Sequence, residues 1–514
     1  MSVDDQRNVR SAMASWVYVG LVFGGVIERV ILYAQNRSLW IDEAALARGL
    51  SRFSWDGITR PLPEGQVAPA LWLMVSRALV ALFGPSEYVL RLFPLVAGLA
   101  SVVLFALLAW RVFRDQPLAA TIALACCALA PGLVAYTAEV KPYSCDVMVA
   151  IALPLAALWT LEAPSRTRWG VLAAAGAISI WLSFPALFVL VGVWLIIWLA
   201  GFRRPALALA PVWLLTAAPV ILMRPRLVAP VDRAYLDAYW DSQLGFRIHP
   251  IATIHEISVW ALGLSHATIC VGFVLVGVVG LLVRSRRLGA LLLAPILAAF
   301  LAAMLRLYPL SGRTALWLAP VVALLLGASV VALIRVSVPA GWLAAATLVL
   351  LMPLGRIGRP APITVEELRP VVAYLAAHRR ATDQVYVYYA TTPAWHYYAP
   401  AVAAIEGGCH RLDWPAYLSE LDSLPSGRVW IVASHFFTGA GIDEVRLMRL
   451  HLGQPIDSVI ATNAGAWLYD LPTMRASTDP LQAKAPRASI VLDCGPPAPA
   501  PRALTAIHAL IGKR

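Results

Sequence analysis

Apolar runs of about 18 to 22 residues follow one another through the first 355 positions, and none occurs after them. A run of that length, wound at about 1.5 Å per residue, crosses a hydrocarbon layer roughly 30 Å thick. The pattern predicts eleven membrane-spanning helices at roughly 14–34, 88–110, 118–136, 145–161, 170–183, 186–201, 205–223, 267–283, 288–304, 314–334 and 337–354. The first run lacks a small-residue cleavage site and is followed by further spans, so it reads as a retained anchor. "APALWLMVSRALVALFG", residues 68–84, is nearly long enough to cross but carries Arg77 at its centre and ends at Gly84-Pro85. It is expected to lie in the interface with Arg77 on its wet side.

Leaving that segment out of the count puts Arg111/Arg114, Arg166/Arg168, Arg203/Arg204 and Arg284/Arg286/Arg287 on one face, together with Arg7 and Arg10. Clustered arginines mark cytoplasmic loops, so the N-terminus is expected in the cytoplasm. Arg37, Arg52, Arg60, Arg224, Arg226 and Arg313 then lie outside, in longer loops with less clustered charge.

From about Arg356 the period changes. "VEELRPVVAYLAAHRR" reads as an amphipathic helix, while "DQVYVYYA" and "GRVWIVASH" read as strands rich in aromatic and β-branched residues. The expected fold is an α-helical polytopic membrane protein with a small C-terminal α/β soluble domain. The domain bounds are 1–355, with interfacial helices at about 42–84, and 356–514, whose Pro/Ala-rich end is expected to be partly disordered.

Composition supports this division. Sixty per cent of the 514 residues are hydrophobic and 14% are charged, a balance unsuited to a soluble globule. The net charge of +12 sits in arginine groups between apolar runs, which points to membrane topology and not to nucleic acid. Six cysteines occur without CxxC spacing, which argues against a zinc or redox motif. Cys409 and Cys494 either pair in an oxidising compartment or stay as thiols.

Three polar clusters interrupt the membrane portion, all on the expected outer face. The first is "SLWIDEAALARG", residues 38–49. Neighbouring residues of a helix point about 100° apart, so Asp42 and Glu43 cannot aim at one atom; one should face a site and the other a partner. The competing reading makes Asp42 the N-cap of a helix at 43–49, and the two roles can coexist. The second cluster, "AYTAEVKPYSCD" (135–146), holds Tyr136, Glu139, Lys141 and Tyr143. Lys141 is one of three lysines in the chain. It reads either as a phosphate-binding cation or as a snorkelling anchor, with the two tyrosines as interface belt. The third, "LYPLSGRTALWLAP" (307–320), places Arg313 at the tip of a hairpin, where a guanidinium can clamp a phosphate.

Carboxylates and cations together are what a transfer reaction with a departing phosphate requires: a base for the acceptor hydroxyl and positive charge for the leaving group. No cofactor is then required, although Asp42 and Glu139 could instead hold a divalent metal through oxygen ligands. A non-enzymatic lipid or glycan transporter or flippase is the rival class. It predicts charges at mid-membrane depth and two matching halves with broken helices, whereas here the polar clusters lie at span ends.

These motifs, with the intervening "APALWLMVSRALVALFGPSEYVLRLFPLVAG", resemble membrane glycosyltransferases of the GT-C superfamily over roughly residues 10–335. The branch resembled contains protein O-mannosyltransferases, lipid A aminoarabinose transferases and relatives of the rhizobial core-oligosaccharide transferases. The resemblance implies a polyprenyl-phosphate sugar as donor, membrane lipid as surroundings, a glycan, lipid or protein acceptor, and action at the periplasmic face of a bacterial inner membrane. Carried over by position, Asp42 is the catalytic base with Glu43 as support, Lys141 and Arg313 bind the donor phosphate, and Glu139, Tyr136 and Tyr143 support substrate binding. Two departures stand out. Lys141 replaces a commoner arginine and loses the planar fork, and a single Pro69 replaces a paired proline. The loop 224–250, rich in Tyr, Trp and Asp, suits acceptor recognition or an aromatic belt.

Overall fold

The computed structural model describes residues 3–52, 61–62, 65–223, 250–362, 365–408, 414–435 and 444–472. They divide into two compact units. The first holds residues 3–36, 68–223 and 250–362; the second holds residues 37–67 and those from 365 onward.

In the first unit all eleven apolar runs are helical. In chain order its helices are α1 (Val3–Ala34), α3 (Ala70–Phe83), α4 (Glu87–Val112), α5 (Pro117–Ala128), α6 (Pro131–Ala135), α7 (Tyr143–Glu162), α8 (Arg166–Leu182), α9 (Ala186–Leu199) and α10 (Arg203–Met223). They are followed by α11 (Pro250–Glu256), α12 (Ala267–Arg284), α13 (Arg286–Met304), α14 (Ala319–Val336) and α15 (Val338–Leu351). Among the described residues seven helices are long and apolar enough to span alone, and α5 with α6 makes an eighth, bent by 50°. The remaining runs form the shorter α8, α9 and α15, of 17, 14 and 14 residues. The segment read as interfacial is α3, also of 14 residues, with Arg77 half-buried. Outward side chains such as Leu214, Leu222, Val283, Leu343 and Leu350 are exposed, as a lipid-facing surface requires.

The bend between α5 and α6 has a local cause. Pro131 offers no N–H, and it forces Ala130 into an extended conformation (φ −62°, ψ 115°). The Ala128 carbonyl exposed at the break accepts Nη1 of Arg29 at 2.8 Å, and the Gly25 carbonyl accepts the same nitrogen at 2.7 Å. Arg29 is buried in α1, so a guanidinium there is tolerable only with such acceptors. Beyond the bend, Thr137 lies against Gly98 of α4, where an added Cβ would stand 2.0 Å from its Cγ2.

The arginine-bearing connections gather at one end of this unit. Arg111 and Arg114 reach Glu162 at 3.5 and 2.6 Å, Arg168 lies over Trp159 at 4.3 Å, and Trp169 packs on Phe202 at 5.5 Å. The opposite end carries the contacts of Tyr33 with Tyr88 (5.1 Å) and of Tyr136 with Trp260 (5.8 Å), and therefore the polar segments 135–146 and 307–318.

The second unit contains α2 (Ile41–Arg52) and a five-stranded sheet of order β2-β1-β3-β5-β4. The strands are β1 (Gln384–Val387), β2 (Ile405–Glu406), β3 (Gly427–Ser434), β4 (Asp457–Ala461) and β5 (Ala464–Leu471). β1 pairs parallel with β2 and β3, while β5 runs antiparallel to β3 and β4. The helices are α16 (Leu368–His378), α17 (Thr392–Tyr398), α18 (Trp414–Asp422) and α19 (Glu444–Leu452). Central β3 is buried on both faces from Val429 to Ser434, which explains its unbroken apolar run. Asp383, just before β1, anchors this strand by accepting from Arg428 Nε at 2.8 Å and Trp430 Nε1 at 3.2 Å.

Gly98→Ala is expected to lower the melting temperature of the detergent-solubilised protein, because overpacking costs about 1–3 kcal/mol. Thr137→Gly in the same chain removes the obstructing methyl and should restore part of the loss; thermal aggregation read by size-exclusion chromatography measures both.

Candidate active site

The first acidic pair belongs to the second unit. Its helix starts earlier than the capping alternative requires: Ala44 N–H donates to the Trp40 carbonyl at 2.9 Å, so Trp40 is the cap and Asp42 is the second helical residue. The capping role passes to Glu43, whose Oε2 reaches back to the Trp40 N–H at 3.5 Å, as a third helical residue does in a capping box. The same oxygen accepts Nη1 of Arg37 at 3.0 Å, with Glu43 0% and Arg37 6% exposed. Asp42 is half-buried and accepts Nε2 of Gln66 at 3.4 Å. The two carboxylates thus take different surroundings, as the 100° step between adjacent helical residues dictates.

The chain entering this helix lies outside regular secondary structure, and its amides donate to side chains. Ser38 N–H donates to Glu367 (3.3 Å to Oε1), Leu39 N–H to the Tyr398 hydroxyl (2.7 Å), Trp40 N–H to Glu43 and Ile41 N–H to Glu366 Oε2 (3.3 Å). Ser38 Oγ adds a 2.7 Å bond to Glu367. Glu366 is 1% exposed, and its other oxygen lies 2.5 Å from Nδ1 of His435. His435 follows β3 in the left-handed region (φ 56°), and its ring stacks with Trp40 at 6.4 Å and 24°.

The other five predicted residues belong to the first unit. Tyr136 ends the bent pair, its ring meeting Tyr143 edge-on at 5.1 Å and Trp260 at 5.8 Å. Glu139 and Lys141 are buried in the tight connection before α7, where Lys141 N–H donates to the Glu139 carbonyl at 2.8 Å. Arg313 is half-buried in the 3-10 turn Gly312–Leu318, which packs against α7 and against the π-helical turn Ile257–Ala261. That turn is tied down by Glu256, whose Oε1 accepts Gly312 N–H at 2.7 Å and Ser311 Oγ at 3.5 Å. Burial pushes the Glu256 carboxyl above the usual range, partly offset by these two donors. Gly312 itself sits at φ 53°, a conformation that suits glycine. The structure therefore brings Tyr136, Glu139, Lys141, Tyr143 and the Arg313 turn to one end of the bundle.

No sequence pattern singles out Glu256, Glu366, Tyr398 or His435: "HEISVW" offers a lone carboxylate beside an aromatic, and "VEEL" reads as part of the helix that follows it. Among the described residues no group of three His, Cys, Asp or Glu side chains is arranged to hold a metal. Residues 224–249, Cys409 and Cys494 lie outside the described residues.

The bundle of apolar helices, with a five-stranded sheet unit, makes a polytopic membrane protein whose fold is similar to that of solved GT-C structures. The crystal structure of apo ArnT from Cupriavidus metallidurans is similar over 89% of this chain and 98% of that chain, with TM-score 0.51 and 13% identity. The same protein bound to undecaprenyl phosphate is similar over 88% of this chain and 98% of that chain, with TM-score 0.53 and 13% identity. No family model and no curated protein matches the sequence.

Separating Arg37 from Glu43 leaves a buried charge. Arg37→Met alone should destabilise the protein by about 3–5 kcal/mol, and Arg37→Met with Glu43→Gln by less than the single change. Thermal unfolding of both variants in nanodiscs tests this.

Proposed function

We propose that this chain is an inverting glycosyltransferase that moves one sugar from a polyprenyl phosphate to an acceptor at the periplasmic face of a bacterial inner membrane. The observation that carries the reading is the fold shared with a protein that binds undecaprenyl phosphate. In this reading Asp42 takes the proton of the acceptor hydroxyl. The acceptor oxygen bonds to the anomeric carbon from the face opposite the phosphate, and the carbon–oxygen bond to phosphate breaks with its electron pair leaving on the polyprenyl phosphate. Inversion follows from that single displacement.

Lys141 and Arg313 bind the donor phosphate and stabilise the charge that grows on it. A phosphate monoester anion needs no proton to depart, so one carboxylate base suffices. Glu43 supports Asp42 through the start of α2, and Glu139, Tyr136 and Tyr143 shape the substrate-binding end of α7. The sugar acceptor is a glycan, a lipid or a protein, and the C-terminal unit is periplasmic.

Membranes carrying the Asp42→Asn variant, supplied with radiolabelled polyprenyl-phosphate sugars, should lose transfer by about 10²- to 10⁴-fold, the usual worth of a general base. Protein level and unfolding temperature should stay unchanged. Undiminished product would reject the role of Asp42, and movement of label across the bilayer without covalent product would identify a flippase. Arg313→Ala should raise the KM for donor about tenfold, equivalent to about 1.4 kcal/mol, and leave the KM for acceptor unchanged.

A further inference from the structure

We infer that Glu366, assisted by Tyr398 and His435, is a positioning residue that holds the start of α2 and through it aims the Asp42 carboxylate. The inference rests on the reading of Asp42 as the base. It gives the C-terminal unit a part in the reaction, because these three side chains all come from residues beyond 365.

Four consecutive amides, from Ser38 to Ile41, each find a side-chain acceptor, and three of the four acceptors are Glu367, Tyr398 and Glu366. A segment outside helix and strand has no regular partners for its N–H groups, so its path is set by whatever accepts them. The last of the four belongs to Ile41, the residue directly before Asp42 and the first of the helix. A carboxylate there meets both an orphan donor and the positive end of the helix dipole.

α2 has only 12 residues, about the length at which an isolated helix is marginal, so partners outside it fix where it begins. Glu366 is itself immobilised. Burial denies it water, and its second oxygen meets His435 at the end of the central strand. Ile41 adds an apolar anchor, packing against the sheet core around Tyr388 and Tyr417. A rigid line therefore runs from β3 through His435 and Glu366 to the backbone of Ile41, and the base is attached one residue further on. Misplacing a reacting group by about 1 Å costs about 10²-fold in rate.

The test uses the full chain in nanodiscs, with Glu366→Ala, Glu366→Gln, Tyr398→Phe and Asp42→Asn assayed for transfer and for hydrogen–deuterium exchange. Glu366→Ala should lower kcat by about 10- to 100-fold with the donor KM within about twofold of wild type, since a displaced base slows chemistry and spares donor binding. Exchange of the 38–43 amides should rise at least about tenfold while those of β1, β3 and β5 stay protected. Glu366→Gln keeps a carbonyl acceptor of the same reach and should recover most of kcat. Tyr398→Phe deletes one oxygen and should raise exchange at Leu39, a variant that serves should Glu366→Ala not fold.

Unchanged exchange over 38–43, or a Glu366→Ala enzyme with wild-type kcat beside an inactive Asp42→Asn, would overturn the inference. An equal loss of protection throughout the sheet would do so too, by showing a merely structural role. Should Asp42→Asn stay active, the base assignment fails instead, and the exchange data alone still decide whether Glu366 holds the segment.

Discussion

An amide without an acceptor is the constraint on which the acidic segment depends. Gln35 and Asn36 still donate to carbonyls at the end of α1, whereas Ser38, Leu39, Trp40 and Ile41 all donate to side chains. Leaving one such group buried and unmet costs about 1–3 kcal/mol, so four of them together outweigh most other local preferences. The acceptors are carboxylates and a phenol drawn mainly from beyond residue 365. This couples folding of the C-terminal sheet to the geometry of α2, far away in sequence. A segment that looks like the loop after a first membrane span is thereby made part of a different compact unit.

The same accounting explains the bundle end. Pro131 interrupts a helix and frees a carbonyl, and a buried guanidinium at position 29 takes it up. Glu256 receives the amide of Gly312, the first residue of its 3-10 turn, whose N–H has no partner within the turn. In each case a break in regular structure creates an unmet polar group, a charged side chain meets it, and the polar residues 136–143 and 311–313 are displayed at the interruption. Breaks of this kind are tolerable at membrane depth only where protein surrounds them.

Much of this architecture is legible from period alone. All eleven apolar runs are helices, and the two strands read from "DQVYVYYA" and "GRVWIVASH" are β1 and β3. They are the strands with β-branched and aromatic residues in unbroken sequence, the signature of burial on both faces. Antiparallel β5 also packs densely but contains Gly465 and Asp470, and β4 is half-exposed, so neither stood out. The helix α2 begins two residues before the start at 43 that the alternative of an Asp42 cap implies. Trp40 takes the cap position because the Glu43 side chain and the Glu366 carboxylate satisfy the first amides in its place. Glu366 and His435 are illegible for a simpler reason: Glu366 meets Ile41 across 325 positions and His435 meets Glu366 across 69, and no local pattern encodes such a pairing.

Adjacent carboxylates of equal formal charge take on unequal duties when one of them is consumed by structure. Glu43 is wholly buried, and one of its oxygens already accepts a guanidinium and an amide. Asp42, the residue before it, is half-buried and accepts from the amide of Gln66. An acid pair of this kind works as a device for aiming: the interior carboxylate fixes the first turn of the helix, and the rotation of one residue presents the other outward with its direction already set.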